Sequence, residues 1–176
     1  VVEAFFDEVM KRADEAGLLS REHFSVDGTL IQAWASHKSF KRRDGDDDQT
    51  PDGPGRNAQT SWKCKARSND THVSTTDPEA RLFRKSHSTA AVLSYQGHVL
   101  MENRSGLVVS AMVTPADGLG ERAAALAMLD ATPGARVRTL GADKAYDTVE
   151  FVAECRRRNV RAHVAQNESA RRRSAI

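Results

Sequence analysis

Two aspartates carry the chemistry that this sequence suggests most directly. Asp27 lies inside a stretch from His23 to Ile31 that alternates with period two, with Phe24, Val26, Gly28 and Leu30 on one face and Ser25, Asp27, Thr29 and Ile31 on the other. A carboxylate in the middle of an otherwise apolar strand is costly to bury unless a metal or hydrogen bonds compensate it. Asp143 directly follows a short strand-like run, Arg136 to Ala142, and α/β sheets place ligand-binding residues beyond the carboxyl ends of their strands. Two carboxylates on adjacent strands match what a pair of divalent metals needs, since two-metal phosphoryl transfer uses hard oxygen ligands and metals about 4 Å apart. Each aspartate also has an ordinary reading. Asp27-Gly28 between hydrophobic residues is a hairpin-turn signal, and Asp143 fits a strand-to-helix loop.

Other candidates are weaker. Asp147 and Glu150 form a capping-box pattern, which assigns Asp147 to a helix start rather than to catalysis. Asp77, followed by Pro78, reads as the cap of a short turn. The histidines, at 23, 37, 72, 87, 98 and 163, are scattered, and Cys64 and Cys155 lack partners at zinc spacing, so both cysteines are expected reduced and structural. Trp62 sits among Lys63, Lys65 and Arg67, a mix able to stack on bases and hold phosphates, although such a tryptophan also packs loops down.

The elements that must position these residues are legible from periodicity. Phe5, Val9, Ala13 and Ala16, with Phe6 and Met10 on an adjoining stripe, predict a first helix over Val1 to Ala16, stopped by Gly17. The runs Ala91 to Met101 and Leu107 to Thr114, joined by Asn103 to Gly106, predict a β-hairpin. Gly120 to Ala131 predicts a helix, Arg136 to Ala142 a strand, the stretch after Asp147 a helix to about Arg158, and Val160 to Ala165 a last strand. Early strands followed by alternating helix and strand imply an α/β fold, a mixed sheet with helices on its faces. Ser36 to His72 holds eight Lys or Arg, six Asp, three Gly and two Pro with few aliphatic residues. It cannot offset its ordering entropy by burial and is expected to be a long loop.

The chain has 176 residues, enough for one domain. A charged fraction of 28%, a hydrophobic fraction of 39% and the lack of any bilayer-length apolar run or signal peptide argue for a cytosolic globular protein. Net charge is only +2, yet from Cys155 onward there are seven arginines and one acid, Glu168, a segment suited to a polyanion. The opening Val1 and the missing closing element lead us to expect a piece of a longer protein.

The strings SVDGTLIQAWAS (25–36), HVSTTDPEARLFRK (72–85), LSYQGHVLMENRSGLVV (93–109), LGADKAYDT (140–148) and HVAQN (163–167) resemble bacterial insertion-sequence transposases of the DDE class, most of all the group named after insertion sequences four and five. The resemblance runs from about Phe24 to Ile176. It implies a partial ribonuclease-H-like catalytic domain over 1–176, to which the residue patterns add an N-terminal helix over 1–20 and a flexible insertion over 36–72. It also implies that Asp27 and Asp143 are the first two catalytic carboxylates and the metal ligands, the second within an Asp-x-x-Tyr-Asp pattern. The cofactor implied is Mg²⁺ or Mn²⁺, with Asp27 bridging two metals and Asp143 holding one. The partner implied is DNA, both transposon ends and target, acted on by a homo-oligomer in the bacterial cytoplasm, at the nucleoid. Ala145 stands where the family carries Gly, and the family's third carboxylate, a Glu on a later helix, has no matching motif; Glu150, Glu154 and Glu168 fall in the wrong elements. Charge alone nominates Lys41, Arg42, Arg43, Lys63, Lys65, Arg171, Arg172 and Arg173 as DNA contacts. Two alternatives stand beside this reading: a DNA-binding remnant that does not cut, and a ribonuclease-H-like nuclease acting on RNA or hybrid duplexes.

Overall fold

The computed structural model describes residues 2–20, 22–45, 67–85, 88–118, 120–132, 137–167 and 174–176. In chain order it contains α1 (Val2–Glu15), β1 (His23–Gln32), a 3-10 turn (His37–Ser39), β2 (Phe40–Arg42), β3 (His72–Ser74), β4 (Arg81–Phe83), β5 (Val92–Glu102), β6 (Leu107–Pro115), α2 (Gly120–Ala131), β7 (Thr139–Ala142), a second 3-10 turn (Lys144–Tyr146), α3 (Val149–Arg157) and β8 (Arg161–Val164). The main sheet has the order β4-β5-β1-β7-β8 with β6 also on β5, and β2 pairs with β3 separately. β7 lies parallel to both β1 and β8. β1 runs antiparallel to β5, as the 2.9 Å bonds from Ala33 N–H to Leu93 O and from Asn103 N–H to His23 O require. This mixed sheet with flanking helices is the α/β architecture expected, and it is compatible with a ribonuclease-H-like fold.

The chain forms two compact units, one of residues 1–29, 96–114 and 118–176, the other of 30–95 and 115–117. In the first, Phe24 and Val26 of β1, Leu100 of β5, Leu140 of β7 and Val164 of β8 pack with Ala125, Met128 and Leu129 of α2 and Phe151 and Cys155 of α3. These are the period-two inner positions of the strands and the 3.6-period apolar stripes of the helices, each element covering a face it could not leave in water. β1 passes unbroken through Asp27-Gly28, so the hairpin-turn reading of that pair does not hold. Strand pairing on both edges over His23–Ser25 outweighs the local turn preference. The second unit is built on Ala33, Phe40, Ala80 and Leu93. There Asp77 takes the Tyr95 hydroxyl at 2.5 Å and the Ala80 amide at 3.4 Å, a structural role consistent with a turn cap.

Several boundaries differ from expectation. α1 turns Phe6, Met10 and Ala13 inward and leaves Phe5 70% and Val9 41% exposed, so the buried face is the adjoining stripe together with Ala13, and Phe5 and Val9 of the first stripe lie outside it. Gly17, at φ +66°, ends the helix as expected, with Leu18 N–H on Ala13 O and Gly17 N–H on Asp14 O. Within Ser36–His72, the described ends hold the 3-10 turn and β2, anchored by buried Phe40, and β3 begins at His72; residues 46–66, with Trp62 and Cys64, lie outside the described residues. α3 is capped by Thr148, whose hydroxyl accepts the Phe151 amide, and not by Asp147.

The β5–β6 turn is organised by a buried carboxylate. Glu102 accepts the Arg104 and Ser105 amides, each at 2.8 Å, and the Ser20 hydroxyl. Desolvation pushes its carboxyl up, but the hydrogen bonds from Ser20, Ser105 and Arg104 together outweigh it, and the net shift is downward. A depressed folded value stabilises at pH above the unfolded one and loses that stability as pH falls through the folded value. Glu102→Gln is therefore expected to cost about 1.5 kcal/mol at pH 7, and the difference from the wild type should shrink below about pH 4.5 in paired thermal melts.

Candidate active site

The register of β1 and β7 decides how the two aspartates sit. His23, Phe24 and Ser25 pair in parallel with Thr139, Leu140 and Gly141, a constant offset of 116 positions (139 − 23), and the same offset carries Asp27 to Asp143 (27 + 116). Asp27 lies two residues beyond the last paired position of β1 and Asp143 directly follows β7, so the same register carried forward brings the two acids toward one end of neighbouring parallel strands about 4.8 Å apart. Both carboxylates are exposed. Asp27 Oδ1 accepts its neighbour Gly28's amide at 2.8 Å, and Asp143 Oδ1 accepts the Ala145 amide at 2.8 Å, capping the 3-10 turn over Lys144–Tyr146. The remaining oxygen of each has no hydrogen bond among the described residues. Ala145 is accommodated without a left-handed backbone, so replacing Gly there leaves the Asp143 turn unstrained.

The first turn of α2 brings another acid, Glu121, within electrostatic reach of both. Glu121 is half-buried and accepts the Gln96 side-chain amide. Burial holds its carboxyl above the ordinary range; Asp143 and Asp27 push the same way and Arg122 opposes them. The Tyr146 hydroxyl is likewise held up, first by burial and then by Glu121, Asp143 and Asp27. Tyr146 itself packs edge-on to Phe151 with ring centroids 5.2 Å apart, which fixes the turn after Asp143. Arg122 ties α2 to that turn through the Ala145 carbonyl at 3.1 Å. Nothing in the sequence separates Glu121 from the acids that commonly complement a helix dipole in the first turn, and only the fold reveals its neighbours.

The basic candidates divide. In the second unit, Arg42 grips Asp44 through Nε at 3.0 Å and Nη2 at 2.6 Å, Lys41 is exposed, and Arg43 donates to the Asn69 carbonyl at 3.2 Å. Arg43 also lines a cavity of about 620 Å³ with Arg67 and Arg81, where Asp70 and Asp117 offset part of the positive charge. Lys63, Lys65, Arg171, Arg172 and Arg173 lie outside the described residues.

A family model described as "Transposase DDE domain" matches residues 19–175. The chain belongs to the DDE transposases. No curated protein and no solved structure matches it. As a DDE transposase domain it acts in DNA transposition, on DNA, in a family that uses divalent metals. The donors suit such a cation: two exposed carboxylates, each with an oxygen that has no hydrogen bond among the described residues, are the hard ligands that Mg²⁺ and Mn²⁺ prefer. Among the described residues no three His, Cys, Asp or Glu side chains are grouped closely enough to hold a metal ion, and no helix of the DDE domain is long and apolar enough to cross a membrane.

Proposed function

We propose that this domain cleaves phosphodiesters at transposon ends and joins the freed 3′ ends to target DNA, using Mg²⁺ or Mn²⁺ held by Asp27 and Asp143, as in the transposase group named after insertion sequences four and five. The observation that supports the reading is that Asp27 lies on β1 and Asp143 directly follows β7, the strand parallel to it. The cation supplies charge neutralisation at the scissile phosphate and a stronger nucleophile from water or a 3′-hydroxyl. Asp27 and Asp143 would hold it, each with one oxygen tied to a backbone amide and the other without a hydrogen bond among the described residues. The exposed Lys144 beside Asp143, and separately the exposed Lys41 and Arg43 of the second unit, add sequence-independent affinity that falls with salt. Lys63, Lys65 and Arg171–Arg173 extend that role in the same proposal. Pairing of two DNA ends calls for more than one copy in the active complex.

Calorimetric titration of Mn²⁺ into the chain tests the metal site. Asp27→Asn and Asp143→Asn are each expected to weaken binding by about tenfold or more, with thermal melts showing an intact fold. Binding that both variants retain at wild-type strength would turn the assignment toward a DNA-binding domain that does not cut.

A further inference from the structure

Three buried side chains that the reaction above leaves unused converge on Glu121. Gln96 and His98 of β5 and Tyr146 beyond Asp143 are 3%, 1% and 2% exposed. Each holds one polar atom without a hydrogen-bond partner among the described residues: Gln96 Oε1, His98 Nδ1 and the Tyr146 hydroxyl. Buried polar atoms are nearly always bonded, to protein or to ordered water, so three orphans around one carboxylate mark a place where something polar belongs. Their positions agree. A Cβ added to Gly28, the residue after Asp27, would stand 3.3 Å from Glu121 Oε1 and 3.5 Å from His98 Nδ1, so both atoms face the bare backbone of β1 beside the aspartate. The charges of Glu121, Asp143 and Asp27 all reach the Tyr146 hydroxyl. Helix-dipole complementation explains an acid in the first turn of α2, but not three unpaired polar atoms around it.

We propose that Glu121 is a third acid of the cation site, a positioning residue that binds the hydration shell of the divalent cation held by Asp27 and Asp143, with Gln96, His98 and Tyr146 lining the intervening polar space. This rests on the metal site proposed above. Direct ligation by all three acids does not fit, because no trio of ligand side chains is grouped closely enough among the described residues. Contact through water does fit. Mg²⁺ dehydrates reluctantly and keeps several waters, and carboxylates one layer back orient what the cation carries. The orphans supply both polarities: the Tyr146 hydroxyl donates, Gln96 Oε1 accepts, and His98, whose Nε2 bonds Thr114 Oγ1 at 2.8 Å, offers Nδ1 in the role that remains.

Mn²⁺ titration by calorimetry on the full chain compares the wild type, Glu121→Gln and the double variant Asp27→Asn, Asp143→Asn. Glu121→Gln is expected to weaken Mn²⁺ about tenfold, while the double variant shows no saturable binding. Glu121→Gln should melt no lower than the wild type at neutral pH. A carboxyl held above its unfolded value disfavours folding once pH exceeds that value, and the neutral amide removes this cost. Wild-type affinity in Glu121→Gln beside loss in the double variant overturns the role of Glu121 and leaves the aspartate pair standing. Binding retained by the double variant, or absent from the wild type, overturns the metal site itself and this inference with it. Should Glu121→Gln not melt cooperatively, Glu121→Asp carries the same test: it keeps the charge and withdraws it by one methylene, so several-fold weakening supports the role and wild-type affinity overturns it.

Discussion

Replacing Asp27 or Asp143 by Asn in the transposase should lower metal-dependent cleavage of a transposon-end duplex at least about a thousand-fold. A bound cation supplies several kcal/mol of charge stabilisation in the transition state, and about 4 kcal/mol corresponds to three orders of magnitude in rate. Both carboxylates are exposed and each has an oxygen without a hydrogen bond among the described residues, so neither contributes much to the core. Asn keeps the shape and an oxygen for the Gly28 or Ala145 amide, but it lacks the charge that holds the metal. The measurement is single-turnover cleavage in Mg²⁺ and Mn²⁺, beside duplex binding in the absence of metal and a thermal melt. Loss of cleavage with retained duplex affinity and an unchanged melt is the expected combination. A fall in melting temperature that tracks the loss of activity would instead make the aspartates structural.

Asp147→Ala is expected to destabilise the chain by about 3 kcal/mol, the loss of two charge-assisted hydrogen bonds at a buried site. Asp147 is 1% exposed, and its two oxygens accept the Asn167 amide at 2.7 Å and the Ala175 amide at 2.8 Å. It thereby pins the segment after β8 and the last described residues to the start of α3. Removing it leaves two amides unpaired and a gap beside Thr148. Chemical denaturation should show a lower midpoint with little change in slope, and hydrogen exchange should accelerate first at Asn167 and Ala175. Asp147→Asn, which keeps one acceptor oxygen, should lose about half as much. A variant as stable as the wild type would return Asp147 to the minor role of a surface cap.

The error over Asp147 shows where local reading ends. The capping-box spacing of Asp147 and Glu150 pointed to Asp147, although the adjacent Thr148 is also a good N-cap type. The choice came from the amides of Asn167 and Ala175, remote in sequence, which claim the aspartate and leave Thr148 to the helix. α1 is similar, since Phe5-Val9 and Phe6-Met10 are both valid stripes, and only the packing of Phe6, Met10 and Ala13 separates them. β2, β3 and β4 are three residues each, too short for a period to register.

What the sequence by itself determined was the set of long elements and the two aspartates. β1, the β5–β6 hairpin, α2 and α3 carry periods of 2 and 3.6 over enough residues to stand out, because burying one face of a strand or helix writes that period into the chain. The motifs around Asp27 and Asp143 were enough to suggest the family that the match over residues 19–175 shows. Only the tertiary structure decided that the strands leading to these two acids are parallel neighbours. Their register follows from strand pairing across more than a hundred residues, which no local pattern encodes. It alone also placed Glu121 beside three buried polar atoms without partners. An acid in the first turn of a helix looks the same in sequence whether it faces water or a buried polar space.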